Sequence, residues 1–294
     1  MSTYYVNADS GSDAAAGTVG APWKTINYAL SAGSTAGDTI ILQDAAATYS
    51  FPLARYTPTS RTICADVLGD AVIDQGNGTV DMPIGANTTI NFQNLIVQNV
   101  TQGAVQYGSF THTWAGGAGP ATYNFTSCIF RDWHMTMAFY NGYHQVGDPA
   151  GSTVGMVLNS CILNNFVKAA GGTYPCFFMT WESESYITMY NCTLHTPGTT
   201  VGGTLLGGVF MGAGGGYNYG ITFKNSIIYA AEAIPFKDWA YVPSAVVDYC
   251  CLYNITSPPA GTGNITSDPL LVDPVNNNLK LRPTSPCIGV GTIL

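Results

Sequence analysis

The amino-acid sequence predicts an all-β fold, a single right-handed parallel β-helix of about eight coils with a short N-terminal capping helix. Three observations predict it. Six segments resemble one another at a nearly constant step. Each alternates apolar and polar residues with the period of a strand. Between them there is almost no sequence with a helical period.

The elements follow in chain order. Tyr4, Tyr5 and Val6 read as a strand, and Asn7 to Gly20 carry the Gly, Ser, Asp and Ala chemistry of turns. Pro22 precedes Trp23, Ile26, Tyr28, Ala29 and Leu30, spaced for a short amphipathic helix. Such a helix has no core of its own, so residues 22–31 are expected to cover the exposed first rung of a stack. TIIL (39–42) and RTIC (61–64) begin the strands. INFQNLIV (90–97), YNFTSCIF (123–130), MVLNSCIL (156–163), ITMYNCTL (187–194), ITFKNSII (221–228) and VVDYCCLY (246–253) then repeat.

With Asn94, Ser127, Ser160, Asn191, Asn225 and Cys250 as markers, the steps are 33, 33, 31, 34 and 25 residues. A marker at a bend between strands fits a left-handed backbone, which Asn tolerates better than most residues. Cys128, Cys161, Cys192 and Cys251 follow at one shared position and are expected to stack inside as free, buried thiols. Coils spaced by about 4.8 Å make a rod on the order of 40 Å long. An antiparallel sandwich is the alternative, but it does not account for six segments kept in step. The chain divides into an N-terminal strand, loop and cap (1–36), coils (37–256) and a C-terminal cap (257–294).

Composition narrows the function. The chain has 294 residues, with 9 Lys plus Arg against 17 Asp plus Glu, a net charge of −8. No basic cluster is present, which argues against a nucleic-acid partner. No segment is both long and purely apolar, so membrane insertion is not expected. A basic start followed by an apolar stretch is also absent, so no secretory signal is expected. The four histidines, His112, His134, His144 and His195, lack metal-ligand spacing, and there is no calcium-loop or P-loop pattern. No cofactor or metal is expected.

The opening YYVNADSGSDAAAGTVGAPWKTINYAL (4–30), followed by GDTIIL (37–42), resembles the start of right-handed parallel β-helix proteins of the pectin-lyase-like superfamily. SDPLLVDPVNNNLKLRPTSPCIGVG (267–291) resembles the C-terminal segment of the same group. With the repeats, the resemblance spans nearly the whole chain. It implies a fold shared by polysaccharide lyases, glycoside hydrolases, epimerases, phage tailspikes and noncatalytic virion proteins, and fold does not choose among them. Lyases of this fold use Lys or Arg as base; hydrolases use grouped carboxylates.

Aligning the segments before each marked strand sets Tyr107, Tyr140, Met179, Phe210 and Phe236 inward and Asn141, Thr180 and Lys237 outward. A further outward position holds Phe110, Tyr143, Glu182 and Trp239. Tyr143, Trp239 and Asn141 are the candidate glycan-binding residues, since sugar rings bind aromatic rings beside a few polar groups. Glu182 and Glu184, which alternate in WESES, and Lys237 and Arg131 are the candidate catalytic residues. A separate outward polar ladder runs through Gln98, Arg131, Asn164, His195, Tyr229 and Asn254.

The expected function is a structural and recognition protein of a virus (phage) particle surface, tailspike-like or capsid-decorating and glycan-binding. Its expected partners are other virion proteins, copies of itself as a homotrimer, and cell-surface glycan. Its expected location is a virion surface or the extracellular space. The alternative is a polysaccharide lyase or glycoside hydrolase acting on an acidic polysaccharide.

Overall fold

The computed structural model describes residues 1–51, 59–78, 80, 82–84, 87–101, 110–112, 120–135, 137–141, 153–168, 176–181, 184–197, 208–213, 219–236 and 244–293. Three parallel sheets form a β-solenoid. Strands are numbered in chain order. The first sheet stacks β1 (Thr3–Val6), β2 (Thr39–Leu42), β3 (Arg61–Ala65), β6 (Thr88–Gln93), β9 (Ala121–Thr126), β12 (Thr153–Asn159), β15 (Glu184–Tyr190), β18 (Tyr219–Lys224) and β20 (Ser244–Asp248). The second stacks β4 (Val72–Gly78), β7 (Ile96–Thr101), β10 (Ile129–Met135), β13 (Ile162–Lys168), β16 (Thr193–Thr196), β19 (Ile227–Pro235) and β21 (Cys251–Thr256). The third stacks β5 (Met82–Ile84), β8 (Phe110–His112), β11 (Met137–Asn141), β14 (Cys176–Trp181) and β17 (Gly208–Ala213).

The expected count of about eight coils is corrected by this order. Among the described residues, five coils carry a strand in all three sheets, the two after them carry two, and β1 and β2 extend the first sheet alone. The taper has a local cause at its start: Trp23 pairs in parallel with Val6, and the chain then turns into a cap instead of completing a coil.

In-register parallel pairing stacks like on like. Ile40, Ile63, Phe92, Phe125, Leu158, Met189, Phe223 and Val247 form one interior column of the first sheet, each paired to the next. All are buried. Phe92 and Phe125 stack with nearly parallel rings, centroids 5.2 Å apart. Val97, Phe130, Leu163, Leu194, Ile228 and Leu252 make the equivalent column of the second sheet. Alternation explains both: β9 buries Ala121, Tyr123 and Phe125 and turns its other residues outward.

The corner between these sheets is where the repeat markers sit. Asn94, Ser127, Ser160, Asn191 and Asn225 all adopt left-handed backbone, with φ between 52 and 58°. The last corner differs from the sequence reading: its left-handed residue is Tyr249 (φ 54°), not Cys250. Leu95, Cys128, Cys161, Cys192, Ser226 and Cys250 follow the corner residues and point inward, so Cys250 belongs to this stack. Cys251, which was expected there, opens β21 opposite Ile227. The hydrogen-bond ladder continues around the bend: Ile162 N–H donates to Cys128 O and Thr193 N–H to Cys161 O, each at 2.9 Å. The small thiols fill the bend and donate to nearby carbonyls, as Cys161 Sγ does to Phe125 O at 3.4 Å.

The N-terminal cap is shorter than expected and starts later. α1 (Ile26–Tyr28) runs into a π turn, Ala29–Gly33. Thr25 sets the start: its Oγ1 accepts from Tyr28 N–H, while Asp13 accepts from the Lys24 and Thr25 amides and the Thr25 hydroxyl. Ile26, Ala29 and Leu30 face the core. At the other end, residues 262–265 pair with the last coil through Tyr249, Cys250 and Leu252. Gly261 allows that approach, since a Cβ there would lie 1.7 Å from Val247 O. The chain closes with an antiparallel hairpin of β22 (Leu271–Asp273) and β23 (Asn278–Leu281) around a 3₁₀ turn, Pro274–Asn276.

Candidate functional site

Parallel stacking brings residues of equal offset within about 5 Å of one another, so an outward polar column persists only where donors face acceptors. The second sheet carries such a column. Asp74, Gln98, Arg131 and Asn164 are paired in register, as are His195, Tyr229 and Tyr253. Tyr253 holds the last place, where the sequence reading expected Asn254, because the final corner comes one residue earlier.

The Asp74 carboxylate accepts from Gln98 Nε2 (2.6 Å), Asn99 Nδ2 (2.7 Å) and Gly76 N–H (2.7 Å). Burial opposes its ionisation, but these bonds and the nearby Arg131 charge outweigh burial and hold it below the ordinary value. Arg131 donates from Nε to Gln98 Oε1 at 2.7 Å and again from its terminal nitrogen Nη2. Beside this column, Asn165 Nδ2 donates to Asp132 Oδ1 at 2.6 Å. Asn99, Asp132 and Asn165 all have left-handed backbone.

At Asn164 the column meets the C-terminal segment. Asn164 Nδ2 donates to Asn277 Oδ1 at 2.9 Å, which leaves Asn164 Oδ1 to accept from His195 Nδ1 at 2.6 Å. His195 is only 3% exposed, and burial pushes its pKa down to about 4. The imidazole is therefore neutral at pH 7, with the proton on Nδ1 and a lone pair on Nε2. Nε2 has no hydrogen-bond partner among the described residues. His195 lines a cleft of about 100 Å³ with Asn165, Pro197, Tyr229, Pro274, Val275 and Asn277. Tyr229 lies against the His195 ring at 5.4 Å and stacks on Tyr253 at 5.1 Å. Burial, with help from Asp268 and Tyr253, raises the Tyr229 pKa, so its hydroxyl keeps its proton. The cleft thus offers a neutral acceptor, an aromatic wall and two proline faces.

Of the predicted site residues, Arg131 lies within the hydrogen-bonded column. Asn141 ends β11, paired with Thr180, and Glu184 opens β15, paired with Thr153. Arg131, Asn141 and Glu184 therefore fall on three different sheets. Tyr143, Glu182, Lys237 and Trp239 lie outside the described residues. The expected alignment of that region holds between Tyr140 and Met179 but not on either side: Phe110 pairs with Phe139 and Thr111 with Tyr140, while Met179 pairs with Met211 and Phe210 with Phe178. Among the described residues no three His, Cys, Asp or Glu side chains group as a metal site. No helix among them is long and apolar enough to cross a membrane. The sequence named His195 and Asn164 only as ladder members. Their link to Asn277 had no sequence signal.

No family model matches the chain, and no curated protein matches it. Among solved structures it is similar to a rhamnogalacturonan lyase, at 11% identity over 91% of this chain and 85% of that one, with a TM-score of 0.47. It is similar also to XylC in complex with xylose, at 11% identity over 90% of this chain and 67% of that one, with a TM-score of 0.46. By its own strand pairing the chain is a three-sheet parallel β-solenoid.

Proposed function

We propose that this chain is a structural and recognition protein displayed on the surface of a virus particle, where its second sheet binds saccharide without cleaving it. The observation that carries the reading is the polar column itself. Arg131, the described candidate for a lyase base, is bound to Gln98 next to Asp74. The cleft is lined by neutral His195 and by Asn165 and Asn277, beside the Tyr229–Tyr253 stack. Aromatic faces with a few convergent polar groups hold sugar rings. Low charge and a stacked, rigid body are consistent with a surface rod. Asn141, Tyr143 and Trp239 are proposed as a second contact region, and copies of the chain or other particle proteins as its partners.

The test is titration of the full chain with neutral and acidic oligosaccharides, followed by calorimetry and by absorbance of unsaturated products. Binding weakened at least tenfold in Tyr229→Ala and in His195→Gln, with no product formed, is the expected result. Unsaturated product that vanishes in Arg131→Ala would assign a lyase instead. Absence of binding across the panel would overturn the recognition role.

A further inference from the structure

We propose that Cys251 and Cys287 form a disulfide in an oxidising environment, a covalent clip that fastens the C-terminal segment across the last coil. Cys251 begins β21, is 3% exposed, and also donates from Sγ to Ser267 O at 3.3 Å. Cys287 lies in the returning C-terminal segment, half-buried, with its amide donating to Ser285 Oγ at 3.1 Å. The two side chains line one cleft of about 220 Å³ with Asn225, Ile265, Leu281 and Val290, close enough that each shifts the other's ionisation. A partly exposed sulfur therefore shares a cleft with a buried one across two segments that are otherwise held by noncovalent bonds.

This pair differs from the corner stack. Cys128 and Cys161 are also neighbours, but both are almost fully buried, and their thiols are pushed up, Cys128 first by its hydrogen bond with Cys161 and Cys161 first by burial. They offer no approach to an oxidant. The neighbouring Cys251 lowers the Cys287 thiol, against opposing burial, so Cys287 is the first of the two to ionise. The same proximity raises the Cys251 thiol, which keeps its proton while Cys287 carries the charge.

The chemistry balances with a low-molecular-weight disulfide as oxidant. The Cys287 thiolate attacks one sulfur of that disulfide, the S–S bond breaks, and one small thiolate leaves. With Cys287 now a neutral mixed disulfide, the interaction that held the proton on Cys251 is gone. Cys251 gives its proton to solvent and attacks Cys287 Sγ, and the second small thiolate leaves. Two protein thiols are oxidised and one small disulfide is reduced to two thiols. Closure needs the protein sulfurs to approach to about 2 Å, a side-chain adjustment within the shared cleft.

The reduced full chain is to be incubated with oxidised glutathione at neutral pH, then examined by intact mass, peptide mapping and thermal unfolding. A loss of two hydrogens, a 251–287 cross-linked peptide and a midpoint raised by several degrees and restored by dithiothreitol are expected. Cys287→Ser should abolish all three, whereas Cys64→Ser, at the other partly exposed described thiol, should leave them intact. A lasting glutathione adduct on Cys287, a bridge between other cysteines, or an unchanged mass would overturn the proposal.

Discussion

The two ends of the solenoid are closed by different physics. At the N-terminal end Trp23 is 4% exposed, stacks on Tyr4 at 4.6 Å and meets Tyr28 edge-on at 5.5 Å. The chain fits tightly around the indole: at Gly17 (φ 73°) a Cβ would lie 2.5 Å from the ring. At the C-terminal end Val275 is 68% and Ile288 53% exposed. There the segment is held by directed polar bonds. Asn225 Nδ2 donates to Thr292 O at 2.7 Å and its Oδ1 accepts from Thr292 N–H at 2.9 Å, while Ser285 Oγ donates to Pro269 O at 2.6 Å. Burial gains accumulate with apolar area, whereas each neutral hydrogen bond contributes only about 1 kcal/mol net. The C-terminal end is thus expected to open first.

The largest effect is expected at the apolar end. Trp23→Ala removes a buried indole and leaves a cavity under the cap, which should cost about 3–5 kcal/mol. Urea unfolding of the full chain measures it, and a loss below about 1 kcal/mol would mean that Trp23 does not close the rod.

Acid should act on the other end. The folded pKa of His195 lies near 4 against an ordinary 6.5. Below pH 6.5 the unfolded chain takes up a proton that the folded chain refuses. Stability is therefore fully present above that pH and falls until about pH 4, by up to roughly 3 kcal/mol. In His195→Gln the difference in stability between pH 7 and pH 4 should shrink by a similar amount. An unchanged pH profile would contradict a buried neutral imidazole beneath the C-terminal segment.

The smallest effect is expected from the tie at Asn225. Asn225→Ala loses both bonds to Thr292 and should cost about 1–2 kcal/mol. Hydrogen exchange at residues 288–293 should accelerate while exchange at β9 stays unchanged. Equal acceleration at both places would show that the two ends open together.

Much of this molecule was legible because a solenoid writes its geometry once per coil. Asn94, Ser127, Ser160, Asn191 and Asn225 were marked from spacing alone, and all five have left-handed backbone. The inward position of Cys128, Cys161 and Cys192 followed from the same alignment. The reading failed where the repeat loses its residue signature. Tyr249 takes a conformation that its side chain does not announce, so Cys251 and Asn254 were each placed one residue out of step. Trp181 ends β14 and Glu184 opens β15, on different sheets, while Glu182, the expected partner of Glu184, lies outside the described residues. The cleft was less legible still, because Asn164 and Asn277 meet across 113 residues of sequence and only the folded chain joins them.

The uninterrupted backbone ladder at the corners has a genetic consequence. Every coil in the middle of the rod offers the same parallel edge above and below, so a duplicated coil of about 33 residues can enter without a new contact type. Each duplication would lengthen the body by about 4.8 Å and leave both ends as they are. Length in such a protein is a heritable quantity counted in whole coils, and the distance between whatever its two ends hold can change by unequal crossing-over alone.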